Sequence, residues 1–517
     1  MNDGKMSKTL SFGVNGVNGF PVSVEVFSHN GLPMMEIIGL PDTSVRESRD
    51  RVSAAIYNCG RASEAKRITI NLAPADMKKE GSSFDLPIAV GVMIATEKLF
   101  PVPDRNPEHI ALFGELSLDG QIQTVSGVLP MVISAKENGV REIILPSANA
   151  REAASIEDVK IIPVDSLNDV IQYLEGQIDI EPQEQIPYDI LRREHTFPVD
   201  MAQIRGQSAA RRALEVAAAG GHNMIMIGVP GSGKTMLARS LPGILPPMTF
   251  EEALETTRIH SICGRLPLGS GLMVTRPFCA PHHSASVASL VGGGQDAKPG
   301  EVSLAHNGVL FLDELPEFSR NALESLRQPL EDGVVSVSRV KRQAQYQSSF
   351  MLIAAMNPCP CGFFGSTRRP CRCTPQEIRR YLDRVSGPLL DRIDIQIEVD
   401  SVPISEINSK SSSESSATVA ARVAAARAVQ QERYLRTRFF CNAQLDSSAI
   451  RQFCIPDSDA ERILHKAVDS MHMSMRAYNR ILKVARTIAD LAGSDIISVP
   501  HIAEAIQYRE LDQKYWS

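Results

Sequence analysis

The chain has 517 residues, 43% hydrophobic and 22% charged. That excludes a wholly disordered or collagen-like polymer and allows about three domains. The net charge of −6 argues against a body built to coat nucleic acid or an anionic membrane, although a local basic groove can sit on an acidic protein. No run approaches the roughly 18 apolar residues of a membrane helix. Residues 1–16 lack the apolar core of a secretory signal. The expectation is a cytoplasmic protein with no membrane partner.

Residues 10–172 alternate β-like runs at 22–26, 67–71 and 142–145 with helical stretches at 44–58 and 85–97. This predicts a mixed α/β domain over 1–174. Residues 175–200 are acidic and proline-bearing, and read as a linker. A second α/β pattern fills 201–405. The serine-rich stretch 406–418 reads as a flexible connection, and 419–517 reads as a helical lid.

The second block opens with Gly228-Val229-Pro230-Gly231-Ser232-Gly233-Lys234-Thr235, which fits the phosphate-loop pattern at every fixed position. An apolar strand precedes it and a helix follows. Glycines let backbone amides converge on phosphate oxygens, and the helix N-terminus adds a positive dipole end. Gly228, Gly231, Ser232, Gly233 and Lys234 are the expected phosphate contacts. Thr235 is the expected Mg²⁺ ligand, with ATP as the nucleotide.

The apolar run 308–312 ends in Asp313 and Glu314. Asp313 can hold Mg²⁺ through water, and Glu314 can activate the attacking water as a general base. The apolar run 351–355 leads to Asn357, which could orient water or reach the γ-phosphate; a turn residue before Pro358 is the alternative. Arg392 lies just before another apolar strand. It is either a transition-state arginine or an ordinary ion-paired one.

Cys359, Cys361, Cys371 and Cys373 form two close pairs, and four thiolates can wrap a tetrahedral Zn²⁺. The C-x-C spacing is tighter than usual, so free thiols and disulfides stay open. The other five cysteines are scattered, as thiols in a reducing compartment are. Arginines crowd 368–384. Arg339, Lys341 and Arg342 form a second basic cluster between two β-like runs. These three can grip a phosphate backbone without reading sequence; a solvated surface hairpin is the alternative.

With these residues in view, the chain resembles the AAA+ superfamily, in the branch of magnesium-chelatase motors and MCM helicases. The segment 299–308 running into the acidic strand, Leu389–Asp394, and Ser474-Met475-Arg476 carry the likeness. Over essentially its whole length it resembles the ComM/YifB family of Mg-chelatase-like proteins. Asn357-Pro358-Cys359-Pro360-Cys361-Gly362 and the N-terminal block are the specific signature. The resemblance implies Asn357 as sensor 1, Arg392 as arginine finger and Arg476 as sensor 2. It also implies a hexameric motor on branched or single-stranded DNA, a branch-migration helicase serving recombination in natural transformation.

Residues 20–170 resemble the proteolytic domain of Lon, a ribosomal S5 domain 2-like fold, through Gly114–Gly120 and 143–146. Lon uses a serine–lysine dyad. Ser83 falls at the nucleophile position, but Leu129 stands where the lysine should be, and no lysine follows until Lys136. Without an amine base, a serine hydroxyl is a poor nucleophile. Four functions are therefore carried forward: a DNA-translocating ATPase, a chelatase-type ATPase that remodels a protein partner, a Lon-like protease, and a non-catalytic nucleotide-gated scaffold, against which Glu314 and Arg392 count.

Overall fold

Valines at every second position give the strand Asn18–Asn30 one apolar face, and Val22, Val24 and Val26 are all fully buried. This strand lies inside a mixed sheet. The computed structural model describes residues 4–62, 66–193, 197–267, 270–293, 297–339, 342–366, 369–402 and 413–516. The chain divides into two units: Met1–Glu194 with Phe250–Val274, and His195–Thr249 with Thr275–Ser517.

In the first unit the described strands run in the order Met34–Ile38, Lys66–Ala73, Asn18–Asn30, Lys5–Asn15, Ile110–Leu112, Glu142–Pro146 and Lys160–Val164. The two pairings made by Asn18–Asn30 are antiparallel, and the rest are parallel. The helix Asp85–Ala95 is apolar all round and almost wholly buried. Its first residue, Asp85, is buried too. Arg51 Nε donates to Asp85 Oδ2 at 2.6 Å, and Ser48 Oγ and the Leu116 amide also donate to this carboxylate. Burial raises the Asp85 pKa, against the pull of these partners.

Residues 250–274, which lie inside the stretch read as ATPase core, pack with the first unit. The helix Phe250–Ile262 packs beside Val128–Glu137, and Leu272 and Val274 join the same apolar core. Ser261 Oγ and the Leu129 amide both donate to Glu152, which is buried. Apolar content alone could not reveal this, because the same residues would suit either core. Residues 175–193, read as linker, are also packed down. The Gln183 amide donates to the Ile161 carbonyl at 2.8 Å, and the Ile186 amide to that of Ala154 at 3.1 Å. Leu191, in the short helix Tyr188–Arg193, is buried.

The second unit is built on five parallel strands. Their order is Phe278–Cys279, Val309–Leu312, Met351–Met356, Met224–Ile227 and Ile395–Glu398. The three central strands are buried at every position, which is why they read as unbroken apolar runs. A two-stranded ribbon, Val334–Arg339 with Arg342–Gln347, precedes the strand Met351–Met356.

The C-terminal helices include Ser416–Arg433, Ser458–Ser470, Met475–Leu491 and Val499–Gln507. They do not form a separate core. Val423, Ala485 and Ile488 share one apolar cluster with Leu214, Ala217 and Met226 of the ATPase part. Most of the serine-rich connection, 403–412, lies outside the described residues. Ser415, at its end, caps the helix Ser416–Arg433 by accepting the Thr418 amide.

Asp490 is the charge centre of this helical region. Its side chain is fully buried, and it accepts from Arg433 at 2.6 Å, Arg486 at 3.1 Å and Asn442 at 2.9 Å. Asp490→Ala leaves the buried Arg486 and the partly buried Arg433 guanidinium groups without their anion. The expected loss is about 3–5 kcal/mol, seen as a lower urea midpoint for the second unit.

Candidate active site

The phosphate loop leaves the C-terminal end of the strand Met224–Ile227 and enters the helix Lys234–Ser240. Gly231 and Gly233 have φ of +76° and +93°, a region L side chains rarely adopt. Gly228 passes so close to the Val399 carbonyl that a Cβ would lie 2.2 Å from its oxygen. Ser232 is buried, and its backbone carbonyl accepts from Gln207. Loop amides and a helix N-terminus therefore converge where phosphate oxygens would sit.

Lys234 is largely buried. Its Nζ donates to the Gly228 carbonyl at 2.7 Å and the Val229 carbonyl at 3.0 Å. Burial lowers its pKa, and the nearby Asp313 and Glu314 oppose that shift. An ammonium so poorly solvated favours the arrival of an anion.

The neighbouring strand Val309–Leu312 ends at the same edge. Thr235 Oγ1 donates to Asp313 Oδ2 at 2.8 Å. The two expected Mg²⁺ ligands thus meet across two elements 78 residues apart in sequence. This pair of oxygen donors beside a lysine suits Mg²⁺, which is held by few protein oxygens and by substrate phosphates. When bound, the ion would neutralise charge on the nucleotide.

Glu314 sits at φ +52°, unusual for a non-glycine residue. Its amide donates to Asp313 Oδ1 at 3.0 Å. Its carboxylate lies 3.4 Å from His283 Nδ1. His283 and His282 stack with ring centroids 4.0 Å apart. Sequence spacing gave no role to His283. It follows the edge strand Phe278–Cys279, which pairs with Val309–Leu312 and so delivers the imidazole to the glutamate.

Asn357 follows the strand Met351–Met356, which lies between the other two. Its Oδ1 is 3.4 Å from Lys234 Nζ. Lys234, Thr235, Asp313 and Asn357 are thereby brought together.

Arg392 has different partners. It pairs with Glu331, and its Nη1 donates to the Pro388 carbonyl at 2.6 Å. Arg476 is exposed and reaches Asp391 at 3.1 Å. Arg480, one turn on, is mostly buried and lies near Asp391 and Asp394. Arg486 is bound up with Asp490 and two backbone carbonyls, which removes it as a nucleotide sensor. Asp391 and Asp394 flank Arg392, so the helix Met475–Leu491 grips the turn that carries it. A buried chain extends this grip: Asp394 to His222 Nδ1 at 3.0 Å, and His222 Nε2 to Thr487 at 2.8 Å. The sequence offered no periodic signal for that chain.

The four clustered thiols converge. Their sulfurs all lie within 4.8 Å of one another, a geometry that could hold a metal ion. Arg339 and Arg342 face each other across the last backbone pair of the two-stranded ribbon, and Lys341 lies outside the described residues.

Among the described residues of the first unit, no lysine is hydrogen-bonded to Ser83. Leu129 is fully buried, and Lys136 pairs with Asp158 at 3.4 Å. Lys79 donates to the Pro74 and Met77 carbonyls. Ser82, rather than Ser83, donates to the Glu115 carboxylate.

Family models match three stretches. Residues 200–407 match magnesium chelatase subunit ChlI, 24–149 match the model named subunit ChlI of Mg-chelatase, and 413–509 match the ChlI C-terminal model. The competence protein ComM of Haemophilus influenzae is 45% identical over 499 residues, covering 96% of each chain. The protein YifB of Escherichia coli is 45% identical over 500 residues, again 96% of each. Lon protease 2 of Bacillus subtilis is 27% identical over 167 residues, 31% of this chain and 29% of its own.

Glu314→Gln keeps the shape of the site and removes the base. Its ATP turnover is expected to fall by about 10²–10⁴-fold with nucleotide binding retained. Steady-state hydrolysis beside fluorescent-nucleotide titration checks both halves, and unchanged turnover would take the role away from Glu314.

Proposed function

This chain belongs to the ComM/YifB family of magnesium-chelatase-like AAA+ ATPases, and we propose that it is a DNA motor: a hexameric ring that uses ATP to migrate branched junctions in homologous recombination. Likeness to a competence protein over nearly the full length carries this reading. Lys234, Thr235 and Asp313 hold MgATP, Glu314 activates water, and Asn357 aligns it.

In this reading Arg392 acts on the nucleotide of an adjacent subunit. Its tether to Asp391 and Asp394, through Arg476 and Arg480, lets the helical lid report nucleotide state to it. Arg476, the more exposed of the two arginines, is the sensor 2 residue in this reading. Arg339, Lys341 and Arg342 hold the phosphate backbone through charge, so binding is not sequence-specific and weakens with salt. Among the described residues, no helix is long and apolar enough to cross a membrane. A cytoplasmic location, where its DNA is, belongs to the same proposal.

A second reading has its own support. The ChlI models cover all three parts of the chain, which favours an ATPase that remodels a protein partner. The protease reading is disfavoured by Leu129 at the lysine position and by Lys136 pairing with Asp158.

One experiment separates the two. Purified protein with ATP and a synthetic four-way junction should yield migrated products, and Lys234→Ala should yield none. An ATPase indifferent to DNA, with no migration, would move the assignment to a protein partner. Ring assembly is tested by mixing. Arg392→Ala is expected to lower hydrolysis by about 10³-fold or more. Adding Lys234→Ala subunits should restore part of it, because some interfaces then hold an intact site. Absence of rescue at every ratio would argue that Arg392 acts within its own subunit.

A further inference from the structure

The cysteine cluster is not a remote surface knot. Cys359 is the second residue after Asn357, and it is fully buried. Cys359 Sγ lies 3.4 Å from Cys361 Sγ and 3.6 Å from Cys371 Sγ, and Cys361 Sγ lies 3.5 Å from Cys371 Sγ. Cys373 completes the group. A disulfide would place two sulfurs at about 2.05 Å. A tetrahedron with Zn–S bonds of about 2.3 Å places its sulfurs near 3.8 Å. The observed spacings match the second arrangement, and all four thiols are free.

The backbone is turned towards the same sulfurs. The Phe364 amide donates to Cys359 Sγ at 3.3 Å, the Cys361 amide to Cys373 Sγ at 3.4 Å, and the Cys373 amide to Cys371 Sγ at 3.4 Å. Amide donors of this kind stabilise thiolates around a metal.

This loop also touches the phosphate loop. Gly362, at φ +82°, sits so close that a Cβ would fall 2.6 Å from Pro230. The helix Pro375–Leu382 begins just beyond Cys373, capped by Thr374, and its Tyr381 accepts the Asn357 amide. Asn357 is thus held from both ends of the cysteine segment, and its Oδ1 faces Lys234.

We propose that Cys359, Cys361, Cys371 and Cys373 bind one Zn²⁺ and that this ion is a clamp, fixing Asn357 and Pro230 in the register ATP turnover requires. Binding exchanges thiol protons, released to solvent, for four Zn–S bonds. The ion takes no part in hydrolysis. The four cysteines are positioning residues, and the functional half of the proposal rests on the ATPase reading.

The test uses the full-length, reduced protein. Elemental analysis is expected to give one zinc per chain. Replacement by Co²⁺ should give the visible absorption of a tetrahedral thiolate centre. Cys371→Ser should bind metal less than stoichiometrically. Zinc-free protein, or an octahedral Co²⁺ spectrum, overturns the site. The clamp is read by hydrogen exchange at residues 228–235, which does not require hydrolysis. Removing zinc with a chelator should speed exchange there, and restoring zinc should reverse it. Turnover should fall by about 10-fold or more while ATP still binds. Stoichiometric zinc whose removal leaves both exchange and turnover unchanged overturns the clamp. If the wild-type chain fails to hydrolyse ATP with zinc bound, the ATPase reading fails while the metal and exchange results still decide the site. Chelation of the wild-type chain also covers the case in which the serine variant does not fold.

Discussion

The parallel sheet of the second unit is the constraint on which the site depends. Parallel strands end on one edge, so whatever follows each strand gathers there. Met224–Ile227 ends in the phosphate loop, Val309–Leu312 in the two carboxylates, and Met351–Met356 in Asn357. Packing the apolar runs therefore assembles the site. Lys234 and Asn357 are 123 residues apart in sequence, yet their side chains lie 3.4 Å from each other. The strain at Glu314 belongs to the same edge: a non-glycine residue is held at φ +52°, where its carboxylate faces His283.

Much of this was legible because each part had local chemistry. A phosphate loop needs its glycines next to its lysine, and a buried parallel strand must be apolar at each position. What stayed hidden was set by partners distant in sequence. His283 looks like one of a pair of surface histidines until the edge strand is paired. The chain from Asp394 through His222 to Thr487 joins three segments, none of them periodic. Arg476, Arg480 and Arg486 lie on one helix, and only their carboxylates tell them apart. The packing of residues 250–274 with the first unit was not legible, because hydrophobicity says that a segment is buried, not in which core.

The first unit keeps Lon-like sequence without Lon's means of catalysis. Among the described residues no hydrogen bond joins Ser83 to a lysine, and two buried acids of the unit have their own partners. Asp85 is held by Arg51, and Glu152 by an amide and a hydroxyl. Buried carboxylates bound this fully serve folding specificity rather than turnover.

The route of the chain also sets an order of maturation on the ribosome. Domains usually fold in turn as they emerge. Here the first unit lacks the helix Phe250–Ile262 until synthesis has passed well beyond the phosphate loop. By then Met224–Ile227 is already exposed, while its neighbours Met351–Met356 and Ile395–Glu398 have not been made. An apolar strand without partners must wait through more than a hundred residues of elongation. This interleaving ties completion of both units to the later part of the chain.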